Sequence, residues 1–161
     1  MASVRFFRPA ASMALALAVF LAAVGGCTAP EVQEAADKED IQAFLEQFLP
    51  ALGSAYAERD AYLIRDYVAP KEIARVAKRI DELAARGQVY APTVRTITIE
   101  SVNVWNNSNA FVSTLEVWDV ERRALGSGTV IGSVLEQPNR VKYQMKRDES
   151  GWRVLYRTIQ E

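Results

Sequence analysis

The sequence has no histidine and a single cysteine among its 161 residues. The absence of histidine excludes Ser-His-Asp and Cys-His nucleophilic systems, histidine general bases and the usual zinc sites. With one cysteine there is no internal disulfide, so packing alone has to hold the fold. Any catalysis would rest on carboxylates, tyrosines or lysines, and the sequence predicts neither a metal nor a cofactor.

The chain also lacks an excess of positive charge. It carries 19 lysine and arginine residues against 20 aspartate and glutamate residues, and the net charge of −1 becomes −3 without Arg5 and Arg8. Binding to nucleic acid requires a concentrated basic face. We therefore expect no nucleic-acid partner.

The first 27 residues have a pattern of their own. Arg5 and Arg8 precede an apolar run from Ala10 to Val24, and Gly25-Gly26-Cys27 follows it. A basic N-terminal segment, an apolar central segment and small residues at its end are typical of a secretory signal. The ending resembles the lipobox of bacterial lipoproteins, in which the cysteine is lipidated and becomes the first mature residue. The resemblance predicts a signal peptide over residues 1–26 and acylation of Cys27.

Two alternatives are an uncleaved membrane anchor and an ordinary secretory signal. The stretch from Ala10 to Gly26 has 17 residues, below the ~20 strongly apolar residues that a span requires. An ordinary signal would leave Cys27 as an unpaired thiol in an exported protein. The preferred interpretation is a lipid anchor in the bilayer. Because Thr28 follows the cysteine instead of aspartate, the resemblance implies the outer membrane, facing the periplasm, in a two-membrane bacterium.

Residues 27–40 are predicted to be the lipidated cysteine and a flexible acidic tether, and residues 41–161 one folded domain. Apolar residues at intervals of three and four predict a helix from Lys38 to Glu58. Asp37 or Asp40 is the candidate for its N-cap. Pro50 is expected to kink this helix or split it near Leu49.

Two further helical segments are predicted. Residues 60–69 read as a short helical turn, and Pro70 begins a helix to Arg86 that Gly87 ends. The outer face of the helix that begins at Pro70 carries both positive and negative residues. This favours a solvated helix over a membrane-surface helix.

In the rest of the chain, apolar and polar residues alternate, which is typical of antiparallel strands. Strands are predicted over residues 93–105 and 110–121, after Thr129 with an interruption at Pro138, and over residues 152–159. A phase switch predicts a β-bulge near Glu100-Ser101. In the last strand, alternation places Trp152, Val154 and Tyr156 on one face and Arg153 and Arg157 on the other. Helices followed by strands predict an α+β fold.

This order resembles the nuclear transport factor 2-like cone, a cystatin-like architecture shared with ketosteroid isomerase. Its best-matching motifs are the Tyr143-x-Met145-x-Arg147 strand, an acidic-glycine turn and Trp152-Arg153-Val154. Within that superfamily, residues 41–159 look most like the small C-terminal domain of plastid and cyanobacterial division proteins. The resemblance implies helices packed on a curved sheet of about four strands. It also leaves a homodimer open, because such domains commonly pair through their sheets.

Isomerase chemistry in such a cone needs a carboxylate base and a donor such as tyrosine. Glu116 is the leading carboxylate, because alternation places it between Thr114 and Trp118 on one side of its strand. If that side faces the cone mouth, Glu116 is desolvated; the alternatives are exposure to solvent or pairing with a cation on a neighbouring strand. Candidate pocket residues are Glu116, Trp118, Tyr143 and Tyr56. Other candidate carboxylates and donors are Asp60, Asp66, Glu100, Asp119, Tyr67 and Tyr90.

Two other features of the sequence do not indicate a functional site. Residues 126–132 nearly match the dinucleotide-binding fingerprint, but they lie between strands instead of opening a helix, so a nucleotide site is rejected. Trp105 and Trp118 would line either a pocket or the core, and the core is the commoner place.

Two functions remain open. One is a membrane-anchored binding or scaffold domain in the cell envelope, with a protein or small-ligand partner. The alternative is a small periplasmic isomerase or lyase that uses a cone carboxylate and a tyrosine. The sequence has no paired acids at short spacing and assigns no catalytic residue, so the first hypothesis is preferred.

Overall fold

The computed structural model describes residues 30–160 of the chain, with side chains from residue 35 onwards. The predicted signal peptide and Cys27 lie outside the described residues. Within residues 30–160, no helix is both long enough and apolar enough to cross a bilayer. The helices are α1 (Pro30–Glu58), a 3₁₀ helix (Ala61–Ile64) and α2 (Pro70–Ala85). The strands are β1 (Gln88–Trp105), β2 (Asn109–Ala124), β3 (Val130–Asp148) and β4 (Gly151–Gln160).

The four strands form one antiparallel sheet in the order β1-β2-β3-β4. Helix α1 covers the inner face of the sheet with one apolar stripe, as its spacing of three and four predicts. Its large, fully buried members are Ile41, Leu45, Phe48 and Leu49. They share one core with inward-facing residues of the strands, among them Val112, Val141, Met145 and Val154. The predicted α+β fold class, with helices packed on a four-stranded antiparallel sheet, is confirmed.

The start of α1 corrects the prediction of a flexible tether. The helix begins at Pro30, well before the predicted start near Lys38, so residues 30–40 are helical. Asp37 is 2% exposed, and Arg147 donates to its Oδ1 over 2.9 Å. Arg147 also donates to Asp40 and lies over the ring of Trp152. A buried carboxylate needs such a partner, and this long-range contact holds α1 to the sheet at Asp37 and Asp40.

Pro50 does not split α1, which runs continuously through it. A proline inside a helix costs about 3 kcal/mol. The apolar side chains on both sides of it, Leu49 and Leu52, are fully or almost fully buried, and each such burial returns about 1.5–3 kcal/mol. Packing therefore offsets the lost hydrogen bond. Beyond the proline, α1 approaches β1 so closely that a Cβ on Gly53 would lie 2.5 Å from the carbonyl oxygen of Pro92.

Bulges interrupt the regular pairing of the strands. The predicted bulge near Glu100-Ser101 is confirmed, and a second register shift at Arg95 was not predicted. Strand β3 continues through Pro138, which pairs with Val117. The irregularity lies just before the proline instead, where Glu136 has a φ of 53°. Bulges bend a strand and increase its twist, so the sheet can wrap around the helices.

A bulge in β4 overturns the predicted faces of that strand. Val154 pairs with Met145, but Tyr156 pairs with Gln144, which leaves Leu155 as the extra residue. The extra residue inverts the alternation after it. Tyr156 consequently turns outward, where it is 42% exposed, and Arg157 turns to the inner face, opposite Tyr143 in the ladder.

Asp37→Asn tests the anchoring of the first turns of α1. We expect the free energy of unfolding to fall by about 1–2 kcal/mol, because the buried hydrogen bond to Arg147 loses its charge. Asp40→Asn is the matched control: Asp40 contacts the same guanidinium, but its side chain is 63% exposed, so we expect a loss below about 0.5 kcal/mol. Urea unfolding measures both, and equally small losses would mean that residues 30–40 behave as a free tether.

Candidate functional site

A cavity of about 500 Å³ lies between the helices and the inner face of the sheet. Residues from α1, α2 and all four strands line it. Its apolar wall includes Leu52, Pro92, Val120, Val134, Val141 and Ile159, and its uncharged polar side chains are Tyr56, Tyr90, Trp118, Gln137 and Asn139. Its charged groups are Glu116, Arg79, Arg122 and Arg157. Cavities of 300–1,000 Å³ are typical small-ligand sites.

Glu116 lies at the cavity wall and is 0% exposed. The hydroxyls of Thr114 (2.9 Å) and Tyr143 donate to its Oε1, and the indole N–H of Trp118 donates to its Oε2 over 2.9 Å. Alternation along β2 puts Thr114, Glu116 and Trp118 on one side of the strand, as predicted. The structure shows that this side is the inner face, which the sequence left open. Within the described part of the chain, Glu116 is neither exposed to solvent nor paired with a cation on a neighbouring strand. Its partner in the ladder with β3 is the uncharged Asn139.

Tyr143 lies behind Glu116 and does not line the cavity. It is 0% exposed, and its ring packs edge-on against Phe48. Burial raises the pKa of Tyr143 well above the usual value of a tyrosine, and the negative charge of Glu116 raises it further. Burial also raises the pKa of Tyr56, although Arg157 opposes that shift. Of the four candidate pocket residues, Glu116, Trp118 and Tyr56 line the cavity, and Tyr143 supports it from the core.

The other candidate groups lie elsewhere, except Tyr90, which lines the cavity. Asp60 caps the 3₁₀ helix by accepting from the backbone N–H of Tyr62. Asp66, Glu100 and Asp119 form ion pairs with Arg65, Arg140 and Arg95. Tyr67 packs against Phe44 and Phe48. Trp105 stacks on Phe111 outside the cavity.

Sequence reasoning missed the three cations of the cavity, Arg79, Arg122 and Arg157. Arg157 is the one that it placed on the wrong face. Strict alternation puts it on the outer face, and only the bulge at Leu155 brings it inside. Burial by itself would lower the pKa of Arg157, but the attraction of Tyr143, Tyr56 and Glu116 outweighs it, and the net shift is upward. The guanidinium therefore stays charged. No local sequence signal marks the bulge.

The charges around the cavity do not balance. Arg79 pairs with Glu82 over 3.1 Å. Among residues 35–160, no carboxylate lies within 4.0 Å of the charged nitrogens of Arg122 or Arg157. Glu116 is the one carboxylate among the lining residues, and both of its oxygens already accept from protein side chains. The cavity therefore has an excess of positive charge.

The side chains described by the structure contain no group of three or more aspartate, glutamate, histidine or cysteine residues arranged to hold a metal ion. The cavity can offer hydrogen-bond donors and cations to a ligand. It offers no free carboxylate.

Comparison with known proteins finds matches among solved structures only. No protein-family model matches the sequence, and neither does any curated protein. One structural match is the intermembrane space region of the chloroplast protein ARC6, with 14% identity and a TM-score of 0.61 over 78% of this chain and 95% of the other. At this identity the likeness shows a shared fold. It agrees with the resemblance to a plastid domain inferred from the sequence.

Two further matches also cover most of both chains. A periplasmic fragment of TraM is 14% identical, with a TM-score of 0.52 over 77% of this chain and 97% of the fragment. Rv3472 of Mycobacterium tuberculosis, a protein of unknown function, is 13% identical, with a TM-score of 0.53 over 84% of this chain and 77% of the other. Lower-scoring matches include NTF2-like and cystatin-like structures.

Tyr143→Phe tests the coupling of Tyr143 to Glu116. A tyrosine whose pKa is raised by folding stabilises the protein fully below pH ~10, and this stability is lost as the pH rises from there towards the folded-state pKa. We expect the variant to lose about 1–3 kcal/mol at neutral pH, because Glu116 loses a donor, and to show a shallower decline above pH ~10.

The measurement is urea unfolding across that pH range. Tyr62→Phe is the control, because the Tyr62 side chain is 67% exposed; neither its stability nor its pH profile should change. An unchanged alkaline slope in Tyr143→Phe would contradict the coupling.

Proposed function

We propose that this chain is a lipoprotein anchored through acylated Cys27, whose domain binds a small ligand in the cavity without transforming it. One observation carries the binding function: the cavity is of ligand size, and its single carboxylate is already committed to three protein donors. The cavity's free polar capacity is therefore cationic and hydrogen-bonding, which suits recognition.

Proton abstraction by Glu116 would require rearrangement. A general base needs an oxygen within hydrogen-bond reach of the proton that it takes. Oε1 of Glu116 holds the hydroxyls of Thr114 and Tyr143, and Oε2 holds the indole of Trp118. A substrate would have to displace one of these donors from a fully buried group.

The second candidate is an isomerase or lyase, and one observation favours it. Glu116 borders the cavity and shares a hydrogen bond with a buried tyrosine, a combination that ketosteroid-isomerase-like sites use. In this chain the tyrosine points at the carboxylate and not into the cavity. Binding is therefore the better-supported function.

The envelope location is supported by the lipobox-like ending at Cys27 and by the sources of two structural matches, an intermembrane space region and a periplasmic fragment. The geometry of α1 adds an orientation. Asp37 lies near its start and Leu52, at the cavity, near its end. At 1.5 Å per residue these positions are about 22 Å apart, so the cavity lies towards the C-terminal end of α1.

Cys27→Ser tests the anchor. We expect the variant to incorporate no radiolabelled palmitate and to leave the membrane fraction, because acyl chains provide the attachment at about 0.8 kcal/mol per buried CH₂. Thr28→Ser, a neighbouring change that keeps the thiol, should remain labelled and membrane-bound. Persistent label in Cys27→Ser, or release of the wild-type protein by plain buffer, would refute the lipoprotein assignment.

Glu116→Gln separates binding from catalysis. If Glu116 is a structural acceptor, the variant loses about 1–3 kcal/mol of stability, because an amide cannot accept from all three donors. If Glu116 instead serves catalysis at a cost to stability, the variant should be as stable as the wild-type protein or more stable. Glu100→Gln, which weakens only an exposed pair with Arg140, is the control, with an expected change within about 0.5 kcal/mol.

A further inference from the structure

Arg157 is the more buried of the two cavity cations that have no carboxylate partner among residues 35–160. It is partly buried and lines both the main cavity and a smaller one, and Tyr56 lines both cavities with it. The smaller cavity adds Glu72, but Arg75 already binds that carboxylate over 2.8 Å. Neither cavity therefore supplies Arg157 with a free counter-charge.

The position of Arg157 is fixed by the sheet. It pairs with Tyr143 in the β3–β4 ladder, and its carbonyl accepts from Arg75 over 2.9 Å. A guanidinium on a fixed backbone offers a planar set of donors that suits a carboxylate or phosphate group. The sheet thus holds the backbone of Arg157 at a fixed point from which its side chain reaches the cavity.

Arg122 provides a second cation at the exposed rim. Its guanidinium lies over Gly132 on the paired strand, where a Cβ would come within 2.7 Å of its Nη2 atom. The absence of a side chain at Gly132 makes room for this placement. Because Arg122 is exposed, solvent screens its charge, and its contribution to affinity is smaller than that of Arg157.

The rest of the wall is largely apolar. Leu52 and Val141 are buried members of the core that reach the cavity, and Val120, Val134 and Ile159 continue the surface towards solvent. A purely ionic ligand would leave this surface in contact with water. A ligand with an apolar part would cover it, at about 25 cal/mol for each Å² buried.

We infer that the cavity binds a small amphiphilic anion, with its negative group held by Arg157, assisted by Arg122 at the rim, and its apolar part against the aliphatic wall. This inference rests on the proposed function, since it names the class of ligand for the same cavity. Glu116 contributes one negative charge to the cavity against the two cations Arg157 and Arg122, and Arg79 is paired with Glu82, so the net charge that an anion meets is positive.

Calorimetric titration of the full-length protein in phosphatidylcholine nanodiscs tests the inference, with empty nanodiscs subtracted. The probes are octanoate, octan-1-ol, octylammonium and acetate, which separate charge from apolar content. We expect octanoate to bind about tenfold more tightly than octan-1-ol, the usual effect of a charge-assisted hydrogen bond. Octylammonium and acetate should bind more weakly than octanoate.

Three variants assign the anion contact. Arg157→Gln should remove the preference for octanoate over octan-1-ol while octan-1-ol still binds, and Arg157→Lys should retain part of it. Gly132→Ala should weaken octanoate binding by displacing the guanidinium of Arg122. Arg123→Gln is the matched control, because Arg123 pairs with Glu121 and does not line the cavity. Circular dichroism and the unfolding midpoint establish that each variant is folded.

The outcomes are distinguishable. Equal affinity for octanoate and octan-1-ol, or tighter binding of octylammonium, overturns the inference and leaves cavity binding in place. Acetate binding as tightly as octanoate overturns the amphiphilic part. An unchanged octanoate preference in both Arg157 variants overturns the role of Arg157. Failure of all four probes to bind overturns the inference and contradicts the proposed function with it.

Discussion

The structure depends on one buried carboxylate and the donors that surround it. An ionised group removed from water costs several kcal/mol unless hydrogen bonds replace its hydration. Glu116 meets this requirement with Thr114 and Trp118 from its own strand and Tyr143 from the next. The bond from Tyr143 couples the inner faces of β2 and β3, and the bonded Glu116 and Trp118 form part of the cavity wall.

Helix α1 closes the inner face because it is held at both ends. At its start, Asp37 is buried against Arg147. Near its end, Gly53 lets the helix backbone approach the carbonyl of Pro92. The cavity lies beside this close approach, and Leu52 of the core and Tyr56 contribute to its wall. The placement of α1 on the sheet therefore helps to set the dimensions of the cavity.

The shared fold and the individual site carry different information. Matches at 13–14% identity establish a common architecture, and one architecture supports many functions. In this chain the acid of the cavity accepts from three protein donors, whereas no carboxylate of residues 35–160 lies within 4.0 Å of the charged nitrogens of Arg157 or Arg122. This charge arrangement, together with the aliphatic wall, is the basis for proposing recognition of a ligand and not its transformation.

Local sequence patterns determined the helices and strands of this protein, and long-range contacts determined which side chains meet in its cavity. Helical spacing, strand alternation and the bulge near Glu100 depend on neighbouring residues, so the sequence predicted the α+β class and placed Glu116 and Trp118 on one side of their strand. Only the packed structure decided that this side faces inward. The helical start of α1 depends on Arg147, which is 110 residues from Asp37 along the chain. The inward turn of Arg157 depends on one extra residue in the pairing of β4 with β3, and a register shift of one residue exchanges the two faces of a strand.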